Sequence, residues 1–304
     1  MAEGSTRVVY VALAGNTVIA LSKLVAFALS GSSAMLTEAI HSLVDMVDQA
    51  LLLVGEKRSR KGPDADHPLG HGMEAYFWSF IVALMVLVLG GFAALYQGAN
   101  QILRPHPITS PTIGLGVLAI AALFEGSAFA VSFREYKRLV RGRDVPLWRF
   151  ILNSKDPSLY ASLLEDFAAL IGIVLAALGI AGSSYLRIAW ADGAASMAIG
   201  LLLTAVAGVL ANETRSLIAG EAVAPPVMAE LRKVLNADDR IVEILEVVTL
   251  HLGPRAILVA LTLRFRPDMT VAGLGEAIRE LTDAMQRVEG RVAYVYVRPA
   301  ESSA

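Results

Sequence analysis

Six stretches of this chain are predominantly apolar over the roughly 20 residues that an α-helix needs to cross the hydrocarbon core of a bilayer. They cover about residues 8–30, 34–56, 76–102, 112–133, 158–181 and 190–213 of 304. A membrane protein is the first inference, and composition agrees: 55% of residues are hydrophobic and 18% charged, with a mean hydropathy of +0.58, above the usual range of a soluble domain. The formal net charge is only −2, and no basic patch is interleaved with aromatics, so neither nucleic acid nor a strongly acidic partner is indicated. Cysteine is absent, which excludes disulfides and thiolate metal sites and leaves His, Asp and Glu as the strong candidate metal ligands. The N-terminal MAEGSTRVVYVALAGNT runs into apolar sequence without an A-x-A-like processing site, so it reads as a first span, not a removable signal.

Basic residues set the expected orientation. Lys57, Arg58, Arg60 and Lys61 lie between spans two and three; Arg134, Lys137, Arg138, Arg141, Arg143, Arg149 and Lys155 lie between four and five. The alternate loops carry only Arg104 and Arg187, and the first turn none. The positive loops belong on the cytoplasmic side, so a multi-pass protein with both termini cytoplasmic is expected, in a bacterial inner membrane.

Beyond about Leu217 the pattern becomes that of a soluble domain. Pro225 and Pro226 mark a helix start, with Val227, Leu231, Val234 and Leu235 on one face. Two β-rich runs flank Gly253-Pro254, and the second alternates Ile257, Val259, Leu261, Leu263 and Phe265 with Thr262, Arg264 and Arg266, the signature of a half-buried hairpin. A helix over about 270–288 and the strand RVAYVYV complete an α-β-β-α-β domain. Its core alone is small, which favours packing against a second copy. The expected architecture is therefore an α-helical membrane protein: a transmembrane domain of six helices over 1–217, then a C-terminal cytoplasmic α+β dimerisation domain over 218–304.

Span two is interrupted by Glu38, His41, Asp45 and Asp48. Spacings of three, four and three place them on one helical face. A charged group near the bilayer centre costs about 2.5–3.5 kcal/mol by insertion scales, so such groups face a cavity, pair, or bind an ion. No Lys or Arg lies within this span to pair with them. His41 and Asp45, one turn apart, can present an imidazole nitrogen and a carboxylate oxygen to one divalent cation; the plainer alternative is a neutral hydrogen-bonded His41 and an Asp45 that braces a neighbouring helix. Glu165 and Asp166 form a second acidic pair, in span five.

SGSSAMLTEAIHSLVD, followed by KRSRKGPDADHPLGHGMEAYFWSF, resembles the cation diffusion facilitator family of divalent-metal transporters, and SKDPSLYASLLED resembles its subgroup containing the mitochondrial zinc transporter nine. The resemblance extends along essentially the whole chain, including a metallochaperone-like tail. It implies a transport site of two His or Asp residues one turn apart in span two and two more in span five. His41 and Asp45 match the first pair and Asp166 one member of the second. Ser162 stands where the family has His or Asp, and a neutral hydroxyl is a poor ligand. Glu165, about 100° around the helix from Asp166, reaches the site only with a local twist, leaving Ser162 or water as alternatives.

Asp64, Asp66, His67 and His71 lie in the loop PDADHPLGHG. The resemblance implies a second zinc site at Asp64, His67 and His71 in some members; the alternative is a loop whose glycines let it pack on span three. In the tail, positions that bind zinc in some members are non-ligand residues here, including Leu245, Leu261 and Tyr296. His251 stands alone, and a surface hydrogen-bonding role is expected for it.

The resemblance implies an efflux transporter, with zinc as the substrate it suggests first, exchanging a divalent cation for protons by alternating access as a homodimer. Metal binding needs deprotonated ligands, so cation and proton compete for the same atoms. The donor set also suits manganese, cobalt or ferrous iron. No cofactor is expected; the partners are the metal cation, protons, membrane lipid and a second copy. An intramembrane metallohydrolase would show H-E-x-x-H or a comparable base beside its metal, and none is present, so an enzyme is not expected. A membrane-anchored metal sensor or scaffold without flux is the alternative from another class.

Overall fold

The computed structural model describes residues 3–140, 146–153 and 155–300, with side chains from Asn16 onward except at 152, 153, 158 and 159. Arg141 and Arg143, counted above among the basic loop residues, lie outside the described residues. The elements in order are α1 Glu3–Ser30, α2 Ser33–Ser59, α3 Glu74–Met85, a π-helical segment Val86–Phe92, α4 Ala93–Leu103, α5 Pro111–Leu139, α6 Leu147–Asn153, α7 Pro157–Ser184, α8 Ala191–Gly220, α9 Pro225–Asn236, β1 Ile241–Gly253, β2 Ala256–Phe265, α10 Val271–Val288 and β3 Val292–Pro299. The chain divides into two compact units: Met1–Val54 with Trp78–Thr214, and Gly55–Phe77 with Arg215–Ala304.

Among the described residues, four helices are long and apolar enough to cross a membrane by length and composition: Glu74–Leu103, Pro111–Leu139, Tyr160–Ser184 and the helix beginning at Ala191. The π turn at 86–92 shifts the phase of the third span midway and keeps Gly90 and Gly91 on its buried face. There α8 approaches closely; a methyl on Gly98 or Gly193 would meet the other helix's backbone at under 3 Å. Small residues at such crossings are how membrane helices gain packing without a hydrophobic driving force.

The turn between α1 and α2 determines where the charged stripe sits. Gly31 has φ +69°, the left-handed geometry that ends a helix and favours glycine. Ser32 then caps α2, its Oγ accepting from the Met35 amide at 3.1 Å. The remaining orphan donors go to Asp192 at the start of α8. Its carboxylate accepts from Ser32 Oγ at 2.5 Å, the Ser33 amide at 2.6 Å and, more distantly, the Ala34 amide at 3.4 Å. Ser33 and Ser196 hydroxyls add a contact at 2.6 Å. The SGSS segment is thus a clasp between the α1–α2 turn and α8.

In the second unit, β1 and β2 pair antiparallel and β2 and β3 parallel, in the order β1-β2-β3. Ile257, Val259, Leu261 and Leu263 of β2 pack with Leu231 and Leu235 of α9 and Ala277, Leu281 and Met285 of α10, as the alternation in β2 demands. Thr270 caps α10 by accepting from the Gly273 amide at 3.1 Å. Val242, Leu245, Val248 and Tyr296 are exposed.

Two expectations change here. His251 is not on the surface: it is 1% exposed, its backbone amide donating to the Glu221 carbonyl at 3.0 Å. And the loop before α3 packs through Gly72 on the hairpin of this unit. A methyl on Gly72 would run into the Leu252 carbonyl, and one on Gly253 would lie 2.7 Å from the Gly72 Cα. With Arg255 Nη1 3.6 Å from Glu56 Oε1, these contacts join residues 55–77 to the tail.

Candidate metal centres

α2, α5 and α7 each contribute carboxylates to a cavity of about 560 Å³ inside the helical unit. Asp45 of α2, Glu125 of α5, and Glu165 and Asp166 of α7 line it, with Ser42, Ser132 and Ser162. The two halves expected to meet therefore do share one space. His41 lies just behind: its Nδ1 is 3.2 Å from Asp45 Oδ1, one turn along α2, and its ring is 1% exposed with neither nitrogen hydrogen-bonded. Asp45 Oδ1 and Glu165 Oε1 are likewise buried without hydrogen-bond partners. Asp166 is held differently, its Oδ2 accepting from Ser132 Oγ at 2.8 Å.

Glu165 and Ser162 both line the cavity beside Asp166, so the helix turn between the two acidic neighbours does not remove Glu165 from it. The carboxylates ring the space and do not converge on a point. Among the described residues, the loop trio is the one group of three or more His, Asp or Glu with ligand atoms all within 4.8 Å of one another. To close on an ion, the intramembrane residues must rotate or α2 and α7 must draw together.

Glu38 and Asp48, the outer members of the charged stripe on α2, are fully buried. Asp48 has neither carboxylate oxygen hydrogen-bonded. Glu38 has a counter-ion that no pairing within α2 supplies: Lys23 of α1, itself 0% exposed, places Nζ 3.0 Å from Glu38 Oε2, 2.7 Å from Ser42 Oγ and 3.9 Å from Glu125 Oε1. Lys23 and Glu125 were missed by sequence reasoning. Each is an isolated charge in an apolar run, LSKLVAF and ALFEGSA, and the cost that singled out α2 applies equally to them.

The loop site is compact. Asp64 Oδ2 accepts from His71 Nε2 at 2.8 Å, and Asp64 Oδ1 is 3.4 Å from His67 Nδ1. The two imidazoles lie against each other, tilted by 35°, with centroids 4.0 Å apart. Asp64 Oδ1 also accepts from the amides of Asp66 and His67, an Asx turn that orients the carboxylate, and Gly70 supplies φ +83°. The hydrogen bond from His71, then that from the His67 amide, holds the Asp64 carboxyl down at about 2. Asp66 stands outside the trio.

A bundle of apolar helices around a buried carboxylate cavity defines a membrane protein built to handle cations. Residues 9–219 match the cation efflux transmembrane domain, and the chain belongs to the cation diffusion facilitator family of membrane-spanning transporters. It is 31% identical over 251 residues to a mitochondrial proton-coupled zinc antiporter of Xenopus laevis, covering 83% of this chain and 45% of that protein. It is 27% identical over 269 residues to metal tolerance protein C4 of Arabidopsis thaliana, covering 88% and 59%. Against the manganese efflux system protein MneP of Bacillus subtilis, identity is 24% over 284 residues, 93% of this chain and 91% of the relative. The chain spans less than half the length of the zinc antiporter it matches.

Proposed function

We propose that this protein exports a divalent metal cation, with zinc as its leading substrate, in exchange for protons by alternating access. The observation that carries the reading is the shared cavity of Asp45, Glu165 and Asp166, backed by His41, inside the helical unit. The cation binds His41, Asp45 and Asp166, with Glu165 as fourth ligand. Each must be deprotonated to bind, so protons arriving from the far side displace the ion. Six spans with both termini cytoplasmic, a transport domain over 1–217, a cytoplasmic dimerising tail over 218–304 and a bacterial inner-membrane location complete the proposal. Asp64, His67 and His71 form a separate loop site for the same kind of ion.

A manganese carrier is the second reading. One imidazole among several carboxylates is a donor set that suits manganese as well as zinc, and a relative over 93% of the chain is named for manganese efflux. Metal uptake into inverted vesicles, with and without an imposed pH gradient, tests both. Wild type should take up zinc faster with the gradient, and Asp45→Ala should not; equal uptake by the two proteins sinks the site assignment, and faster manganese uptake selects the second reading.

A further inference from the structure

We propose that Glu125 of α5 is a ligand of the transported cation, and that Lys23 of α1 is the tethered counter-ion that holds it between rounds; this rests on the transport reading above. Glu125 faces the same cavity as Asp45, Glu165 and Asp166. It is the sole ionisable residue of α5 between Pro111 and Phe133, and a lone carboxylate at that depth persists only with a charge partner or a task.

Its partner is close but does not bind it tightly. Lys23 directs hydrogen bonds to Glu38 Oε2 at 3.0 Å and Ser42 Oγ at 2.7 Å, whereas Glu125 Oε1 stands 3.9 Å from Nζ, beyond hydrogen-bond length. Glu125 is therefore attracted and not fixed. Glu38 is fixed: it is 0% exposed and pressed against Gly172 of α7, where a methyl would collide with its Oε1. The ammonium thus occupies Glu38 permanently and leaves Glu125 exchangeable.

The transport site is short of what Glu125 offers. Ser162 is a weak donor, and Asp166 has one oxygen committed to Ser132. A divalent ion among Asp45, Glu125 and Asp166 outcompetes a single positive charge for Glu125, and when the ion leaves, the carboxylate returns to Lys23. The acidic ring then draws a further member from α5, beside Asp45, Glu165 and Asp166, a helix that the two-helix description of the site omits.

The test is equilibrium dialysis of radioactive zinc against the purified full chain, in a His67→Ala/His71→Ala background that silences the loop. Glu125→Gln should weaken binding about tenfold or more, the scale of a lost charged contact. Lys23→Met/Glu38→Gln removes the Lys23–Glu38 pair together and leaves Glu125 without its counter-ion, and should tighten binding about tenfold by freeing Glu125. Adding Glu125→Gln to that pair should abolish the gain, as expected of coupled residues. The proposal is overturned by an affinity for Glu125→Gln within about twofold of wild type, or by a gain that persists in the triple variant. Asp45→Asn is the separate control: if it leaves zinc binding intact, the transport site itself is misplaced. Should the Lys23→Met/Glu38→Gln protein fail to fold, Glu125→Asp decides alone. It keeps the charge but withdraws the oxygens, and should weaken zinc about fivefold; unchanged affinity overturns the proposal.

Discussion

Removing the carboxylate of Asp192 should loosen the helix that carries half the proposed transport site. Asp192 is fully buried and receives two short bonds, from Ser32 Oγ at 2.5 Å and the Ser33 amide at 2.6 Å, and a long one from Ala34 at 3.4 Å. Hydrogen bonds to a charged group contribute about 1.5–3 kcal/mol each, and a buried donor left unpaired costs a comparable amount. Counting only the two short bonds, Asp192→Ala should destabilise the protein by about 4 kcal/mol. Asp192→Asn keeps one acceptor oxygen without the charge, and should cost about 2 kcal/mol. The measurement is unfolding in mixed dodecylmaltoside–SDS micelles, followed by far-ultraviolet circular dichroism. Because the clasp sets where α2 begins, eight residues before His41, zinc affinity of the folded Asp192→Ala protein should fall as well. A loss below about 1 kcal/mol, or equal losses for Ala and Asn, would refute the reasoning.

Two further outcomes follow from the sites. Glu165→Gln should lower zinc affinity about tenfold, since a buried carboxylate with an unpaired oxygen faces the cavity, while Ser162→Ala should change it by less than about twofold; dialysis on the loop-silenced protein compares them. In the loop, His67→Ala/His71→Ala should remove one bound ion per chain, read by elemental analysis, and leave vesicle uptake in place. Asp64 is depressed from 3.8 to about 2 by the His71 ring and the His67 amide. Its contribution to loop order is therefore fully present above about pH 3.8 and lost as pH falls through about 2. Imidazole NMR signals of His71 should report an intact Asp64 contact at pH 4, and Asp64→Asn should shift them across the whole range above that.

Charge and periodicity made much of this protein legible in one dimension. A carboxylate at 45 in an apolar helix demands explanation whatever surrounds it, and a three-four-three spacing puts it on one face with His41 before any fold is known. Asp64, His67 and His71 are close in sequence, with Gly70 between them, so a local turn suffices to gather them. Ile257 to Phe265 alternate because a strand has two faces, and Thr270 marks the start of α10 because its hydroxyl can cap. These features depend on neighbours a few residues away, where backbone geometry alone decides who meets whom.

Tertiary structure decided what depends on distant partners. Lys23 finds Glu38 across fifteen positions and Glu125 across a hundred; Asp192 finds Ser32 and Ser33 across some hundred and sixty. His251 looks like a surface residue by type and is buried by the segment reaching back to Glu221, and Gly72 packs against Gly253, not on the helix that follows it. A buried charge announces by its own desolvation cost that it must have a partner. Which partner is a question of helix packing, and that is settled only when helices far apart in sequence lie side by side.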